Sequence, residues 1–484
     1  MKYCLMPLVL MISLHSRSQT KNSFNYTPAD SIVTAITTQY ESKFFLHHIL
    51  MGKNYRETWS TPVKLPVFKL SESGLSIEKL GGGEQTKSLR LKDAEGKDWV
   101  LRTVNKTVKD AIPKSLNNTP IENVVQDIIS AAHPYGALIV AELAQAAHIV
   151  APQPRIYYVA EDKALGEYNE IFANTVCMLE EREPTPDGSD TDDTEKIQQK
   201  ISEENDNLIL QKKVLKARLL DMLVGDWDRH ADQWRWDEID SNNADYYYAI
   251  PRDRDNALFH ANGILPALSK LSFMPHLTGF KKKSGGLKNL NRKSYEFDKV
   301  FLNEINAEDW QEIVNEFILQ MPDEVIEKSV RTLPDPIYEL DGEKLISKLK
   351  SRRDGLLKNS MKYYRFLSRK VYITGSDERE LFVVSGNDDQ LIVSVYSLSN
   401  NDRQCIYKRT FIPSETRYIE LNGLKGDDQF IIEPSARSKI RLRLHGNEGK
   451  DSYDLLGKVR SRVHDAREED NVIVNNSSAR IVFR

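Results

Sequence analysis

Between residues 75 and 104 apolar and polar side chains alternate in three short runs, LSIEKL, SLRLKD and DWVLRTV. A period of two predicts three strands, joined by turns at Gly81-Gly82-Gly83 and at AEGK. The period then lengthens: residues 121–131 and 136–148 place apolar side chains at helical spacing, the second rich in alanine and leucine. HIVAPQPRIYYVAED predicts a strand after Pro152 and Pro154, and FANTVCMLEER another. Residues 183–196 (EPTPDGSDTDDTEK) are acidic and punctuated by proline and glycine, the composition of an exposed connection. An amphipathic helix follows, with Leu215, Leu219, Leu220 and Leu223 on its apolar face, and it stops at Gly225. A short aromatic strand, YYYAIP, comes next.

Residues 260–300 are apolar and then basic (KKKSGGLKNLNRK), and 304–370 show helical periodicity with charged faces. From residue 371 the texture changes to short alternating strands separated by polar turns, which predicts an all-β, sandwich-like region. No internal repeat is evident. Residues 20–59 read as an irregular lead-in with one helical piece around 29–45.

At 484 residues the chain is too long for one ordinary core. It is 40% hydrophobic and 29% charged, with mean hydropathy −0.51. A net charge of −4 argues against a general nucleic-acid binder, which needs a basic field. The N-terminus, MKYCLMPLVLMISLHSRSQT, has Lys2 ahead of an apolar run over 4–14, the layout of an export signal covering 1–19. That run is too short for a membrane-spanning helix of about 20 residues, so no transmembrane segment is expected in the mature chain. Cys177 and Cys405 then remain, far apart, compatible with one disulfide but with no metal framework.

The candidate chemistry concentrates in LLDMLVGDWDRHADQWRW, residues 219–236, and in Arg252-Asp253-Arg254-Asp255 after the aromatic strand. Two acidic loops at the ends of regular elements are what metal-dependent phosphoryl transfer requires: one oriented carboxylate, and others to hold a divalent cation against phosphate. Asp228 is the candidate catalytic carboxylate, with Arg229 and His230 beside it. Asp253 and Asp255 are the candidate ligands for Mg²⁺ or Mn²⁺, and Gln233 could add an amide oxygen. Gly81, Gly82 and Gly83 would let backbone approach phosphates, followed by Lys87. Arg102 is the basic residue of the third strand, with Glu122 and Glu142 as candidate partners. Trp227, Trp234 and Trp236 read as packing. A hydrolase cluster of His230 with Asp226, Asp228, Asp253 and Asp255 is the alternative. It lacks the grouped histidines such sites use, although the chain has ten.

The order of parts, a small β-rich lobe, helices, an acidic connection, a helix and two acidic loops, is that of a kinase fold. The stretch DMLVGDWDRH resembles the catalytic loop of atypical kinases: the secretory-pathway protein and sugar kinases, the phosphatidylinositol kinases and the HipA-like group. That resemblance implies ATP as donor, Asp228 as catalytic aspartate and Asp253 or Asp255 as metal ligand. Asp226 stands where asparagine is common, Gln233 where some groups have a metal-binding asparagine, and Arg102 where lysine is usual. Over residues 60–460 the chain also resembles a family of exported Gram-negative proteins, often fused to a calcineurin-like phosphoesterase or a BamA-like surface-antigen barrel. This implies a periplasmic or outer-membrane-associated protein with an envelope partner, and a non-catalytic binding or assembly module as the alternative. GLKGDDQF and LHGNEGKDSYD resemble Gly-Asp turns that bind Ca²⁺ through residues such as Asp427, Asp428 and Asp451, though ordinary turns suit them as well. The expected organisation is α+β: an atypical protein-kinase-like two-lobed domain at 60–370 and a β-rich domain at 371–484.

Overall fold

The computed structural model describes residues 26–483 apart from 43, 83–85, 110–111, 187, 242–243, 273–274, 278, 285, 399–402 and 467–470. The expected export signal at 1–19 and Gly83 lie outside the described residues. The alternating runs form strands Ser76–Gly81, Ser88–Lys92 and Asp98–Thr103, and the proline-flanked segments form Arg155–Val159 and Thr175–Glu181. Together with Ser31–Thr34 and Val63–Phe68 they make one seven-stranded sheet, which runs in space from Ser31–Thr34 to Ser76–Gly81. The lead-in is therefore structured: residues 31–34 form the edge strand, and Tyr40, Tyr55 and Trp59 pack with Val108 and Ile129. Its alternation is too short and polar (SIVT) to stand out from a loop in sequence.

A helical lobe packs below this sheet. Its centre is the helix Gln211–Val224, buried on every face from Leu219 to Val224. Gly225 ends it in the left-handed region (φ +70°), tight against Phe280 and Arg352. Arg352 caps carbonyls of the last helical turn, donating from Nε to Leu223 O and from Nη2 to Met222 O, both at 2.6 Å. Trp234–Ser241 and Ala244–Pro251 then form an antiparallel hairpin in which Trp234 pairs with Pro251. The first of these strands does not stand out in sequence, because tryptophans and acids obscure its alternation. The tryptophans are packing: Trp234 stacks on Phe297 at 4.8 Å. Among the described residues no single helix is long and apolar enough to cross a membrane.

After the helix Leu356–Leu367 the chain turns to strands at Lys370. Two sheets face each other, five strands in one and six in the other. The connectivity is more specific than a generic sandwich. From Tyr418 onward successive strands alternate between the two sheets and pair in parallel within each, so the chain winds as a flattened coil. Phe382, Phe430 and Tyr453 stack in one column, 4.8 and 5.1 Å apart. This is a structural repeat that divergent side chains hid in the sequence.

The Gly-Asp turns are the rungs of that coil. Glu380 N donates to Asp428 Oδ1 (2.8 Å), Asp428 N to Asp451 Oδ1 (2.8 Å), and Asp451 N to Asn471 Oδ1 (2.7 Å). Asp427 instead accepts from Lys450 N at 2.9 Å. Gly423 and Gly446 are required opposite these rungs, because a Cβ there would overlap the Asp428 and Asp451 carboxylates. The acids are thus tied to backbone N–H groups in stacked turns, and no group of three or more His, Cys, Asp or Glu side chains placed to hold a metal forms among the described residues. Cys177 is buried in the small lobe and Cys405 lies on the coil; both are free thiols. The coil docks on the helical lobe through Arg409, which donates to Asn303 O and to Ser368 Oγ (2.9 Å), and through Asn205 to Glu380 (3.0 Å).

Burial, with Glu380 and Asp451 close by, pushes Asp428 up to about 9. A carboxyl group whose folded pKa lies above its unfolded value adds stability fully present below about pH 4. That contribution is lost as pH rises through about 9. In thermal unfolding from pH 5 to 9, Asp428→Asn is expected to flatten the decline in melting temperature relative to wild type. An unchanged pH slope would show that the rung is ionised in the folded chain.

Candidate active site

The hairpin register sets the site. Because Trp234 pairs with Pro251, the loop 226–233 entering the first strand lies against residues 252–256 leaving the second. Arg229 is buried and fastens the two: Nη1 donates to the carbonyls of Arg252 and Asp253, the latter at 3.3 Å, and Nη2 to Gln233 O at 3.0 Å. Its guanidinium also lies over the Trp234 ring. Asp226 is buried, and its Oδ1 accepts from Asp228 N at 3.1 Å, fixing the backbone on which Asp228 is carried. Burial, partly offset by Arg229, pushes Asp226 up to about 6.

Behind both loops is a buried ionic knot that sequence reasoning missed. Asp221, wholly inaccessible, accepts from Arg218 and from Arg254, and Arg229 Nε stands 3.5 Å away. Arg218 also donates to Asp298 at 2.8 Å, and Tyr363 donates to Asp298 at 2.7 Å. One carboxylate thus joins the central helix, the 226–233 loop and the 252–255 loop. The signal in sequence was an aspartate placed inside an otherwise apolar helical turn, LLDML.

Asp228 is half-buried and held from two sides, with Oδ1 accepting from Lys293 Nζ (2.6 Å) and Oδ2 from Asn256 Nδ2 (3.1 Å). Neither partner was expected from sequence, and Lys293 comes from the basic stretch after residue 280. His230 turns away from Asp228: Nδ1 is 3.4 Å from Asp232, and Nε2 lies 3.3 Å from the Gln233 amide. Gln233 therefore spends its side chain on His230, and the amide beside Asp228 belongs to Asn256.

Asp253 has a left-handed backbone (φ +53°). Its Oδ1 is 3.0 Å from Arg102 Nη1. Arg102 Nη2 bonds Glu180 Oε1 at 2.6 Å and approaches Asp255 at 4.0 Å, while Lys106 reaches Asp255 at 3.1 Å. Burial acts to raise Asp253, but Arg102 and Lys106 outweigh it and hold this carboxyl well below the usual range. Burial would lower Arg102; Asp255, Asp253 and Glu180 together raise it. Glu180 is pushed up, because burial exceeds the pull of Arg102.

The expected acidic partners of Arg102 are corrected here. Glu122 accepts from Asn118 N near the start of its own helix, and Glu142 faces Lys328 at 3.4 Å. Strand pairing supplies the partner instead: Asp98–Thr103 runs antiparallel to Thr175–Glu181, which brings Glu180 within reach. At the hairpin tip Gly82 (φ +111°) has no room for a Cβ beside Thr86 O, and Gly81 packs against Ser88 and Arg90. Gly82, Ser88 and Arg90 line a cleft of about 410 Å³ under the sheet, and Lys87, one step out of phase, does not. Arg102, Glu180 and Asp253 are on the wall of this cleft, whereas Asp228 and Asp255 are not.

No described protein family matches this chain, and no curated protein does. Solved structures that match include a proinflammatory kinase, CtkA, of Helicobacter pylori. It is 12% identical over 62% of this chain and 99% of its own, with a TM-score of 0.35. The Rio2 kinase of Chaetomium thermophilum, solved as an ADP/Mg²⁺-phosphoaspartate complex, is also 12% identical. It covers 59% of this chain and 72% of its own, with a TM-score of 0.26. These superpositions are too loose to carry a residue-by-residue correspondence.

The knot has a direct consequence. Removing one member of a buried ion pair leaves the other charges uncompensated, a loss of about 3–5 kcal/mol. Asp221→Asn is expected to lower stability by that order in urea unfolding. A loss below about 1 kcal/mol would mean the knot does not hold the two loops together.

Proposed function

We propose that this site performs metal-dependent phosphoryl transfer, with Asp228 as the carboxylate that orients the acceptor hydroxyl and takes its proton. The observation that carries this reading is the rigid coupling of the two loops. Arg229 ties the Asp228 loop to the carbonyls of residues 252 and 253, and Asn256 bonds Asp228 itself. Asp253 and Asp255 share one basic pair, Arg102 and Lys106, at the foot of the sheet. Two adjacent carboxylates suit Mg²⁺ or Mn²⁺, which take one or two carboxylates and fill the other positions with phosphate oxygens and water. Such an ion, when bound, neutralises charge that builds on the transferring phosphoryl group.

The chain's own residues do the rest. Arg102 screens a donor phosphate from Asp253 and Glu180. Lys293 holds Asp228 Oδ1 from one side and sits where it can meet a leaving or entering oxygen. Asp226 and Arg229 position the loop without touching substrate. ATP is the donor to test first, and the apolar stretch at residues 4–14 supports export and action in the cell envelope, with a partner there.

A second reading is a non-catalytic kinase-like module. It is favoured by the way each acid already has a basic partner: Lys293 on Asp228, Arg102 on Asp253 and Lys106 on Asp255. Phosphoester hydrolysis has less support, since among the described residues no histidine bonds Asp228, Asp253 or Asp255.

Nucleotide turnover and thermal shift with Mg²⁺ or Mn²⁺ separate the readings. Asp228→Ala is expected to cut turnover by about a hundredfold or more while keeping the metal-dependent shift, and Asp253→Ala to abolish that shift. Folded wild type with a metal-dependent shift but no turnover would favour the non-catalytic module; no shift with any phosphate donor would sink the enzyme.

A further inference from the structure

The roof of the cleft is set by strand register. Arg90 pairs with Val100, and Val100 with Glu180, so these three side chains form one row across adjacent strands. In the neighbouring row Ser88 pairs with Arg102. Beyond the strand end Arg182 also lines the cleft, paired with Asp98 at 3.0 Å and Glu183 at 2.9 Å. The floor carries Trp234, which is wholly buried beneath its neighbours, and Arg252. A purine needs apolar surface on both faces, because stacking and burial supply most of its affinity. This cleft offers Val100 on one side and guanidinium groups around it.

Those guanidiniums are not all in use. Arg102 and Arg182 have the carboxylate partners given above, and Arg235 donates to Thr191 Oγ1 at 2.9 Å. Arg90 and Arg252 both line the cleft, and among the described residues neither guanidinium forms a salt bridge or side-chain hydrogen bond, Arg252 feeling Glu180 and Glu183 only at longer range. The acids on the wall are committed elsewhere or lie at its rim. Glu180 is bonded to Arg102, Asp253 faces Arg102 at 3.0 Å, and Asp193 caps a helix by accepting from Lys196 N at 2.8 Å. Glu195, in the first turn of that helix, is exposed, and Asp232 is almost wholly exposed beside His230. A planar fork of donors with no carboxylate to satisfy it is the side chain best suited to bidentate phosphate recognition.

We propose that the cleft holds its ligand by a chain of phosphate groups, with Arg90 and Arg252 reading phosphates where a nucleotide pocket would enclose a base. The ligand class is a linear polyphosphate anion, either inorganic or the phosphate tail of a nucleotide whose base stays outside the cleft. This inference rests on the phosphoryl-transfer reading of the site and narrows its donor.

The test is calorimetric binding of three probes to the full chain with Mg²⁺: inorganic tripolyphosphate, ATP and adenosine. Wild type is compared with Arg90→Gln and Arg252→Gln, and each variant's melting temperature confirms its fold. Tripolyphosphate is expected to bind within about threefold of ATP, adenosine to give no heat, and each substitution to weaken both phosphate ligands about tenfold. Similar affinities for the two phosphate probes assign the site to phosphates alone. Tripolyphosphate about tenfold weaker than ATP, or affinities unmoved by either substitution, overturns the inference and leaves phosphoryl transfer from a base-recognised nucleotide standing. If no phosphate compound binds wild type, both readings fall. Arg90 makes none of the knot's contacts, so Arg90→Gln decides the outcome if Arg252→Gln does not fold.

Discussion

Everything in the candidate site leans on the Asp221 carboxylate. It is buried in the middle of the central helix, where an isolated charge would be strongly disfavoured. Its burial is tolerable because Arg218 and Arg254 surround it and Arg229 stands close. Each of those arginines belongs to a different piece of the site or its support, and Asp221 is the carboxylate they share. Arg254 sits between Asp253 and Asp255, so the position of the acidic pair follows from that of the helix. Arg229 follows Asp228, so the orienting carboxylate does too. Exposed ion pairs of similar geometry would contribute little; exclusion of water is what makes this set a constraint on geometry.

The second constraint is the sheet. Antiparallel pairing of Asp98–Thr103 with Thr175–Glu181 and with Ser88–Lys92 decides which charged side chains share a face. Arg102, Glu180 and Arg90 meet in one cleft through that pairing although they are distant in sequence. A charged roof of this kind would be unstable over an apolar floor unless each charge were paired or hydrated. Among the described residues the open, polar cleft leaves Arg90 and Arg252 without a bonded acid, a charge that solvent or an anion can meet. The coil at the C-terminal end holds its inward acids in a different way, with one oxygen each of Asp428 and Asp451 accepting a backbone N–H of the neighbouring turn.

Local patterns were legible. The three alternating runs, the helix ending at Gly225 and the strand YYYAIP are recovered with boundaries shifted by at most a few residues, because period and end signals are properties of neighbouring residues. The two acidic loops were found for the same reason: acids clustered after a helix stop and after a strand stand out. The edge strand at 31–34 and the strand 234–241 did not, one too short and polar, the other masked by tryptophans and acids. Glu122 and Glu142 looked plausible as partners of Arg102 because they lie on the helices that follow it. Nothing local distinguishes them from Glu180, which only strand pairing delivers.

The sequence by itself determined the elements, the change of texture near residue 370, and which loops carry the acids, since helix and strand periods and turn residues act over a few positions. Tertiary structure alone decided that Asp221 and Asn256 belong to the site and that His230 and Gln233 face each other. It also decided that the C-terminal strands alternate between two sheets as a coil. These are choices among long-range pairings of similar local quality, and they are settled by which buried charges and backbone groups find partners when the whole chain packs.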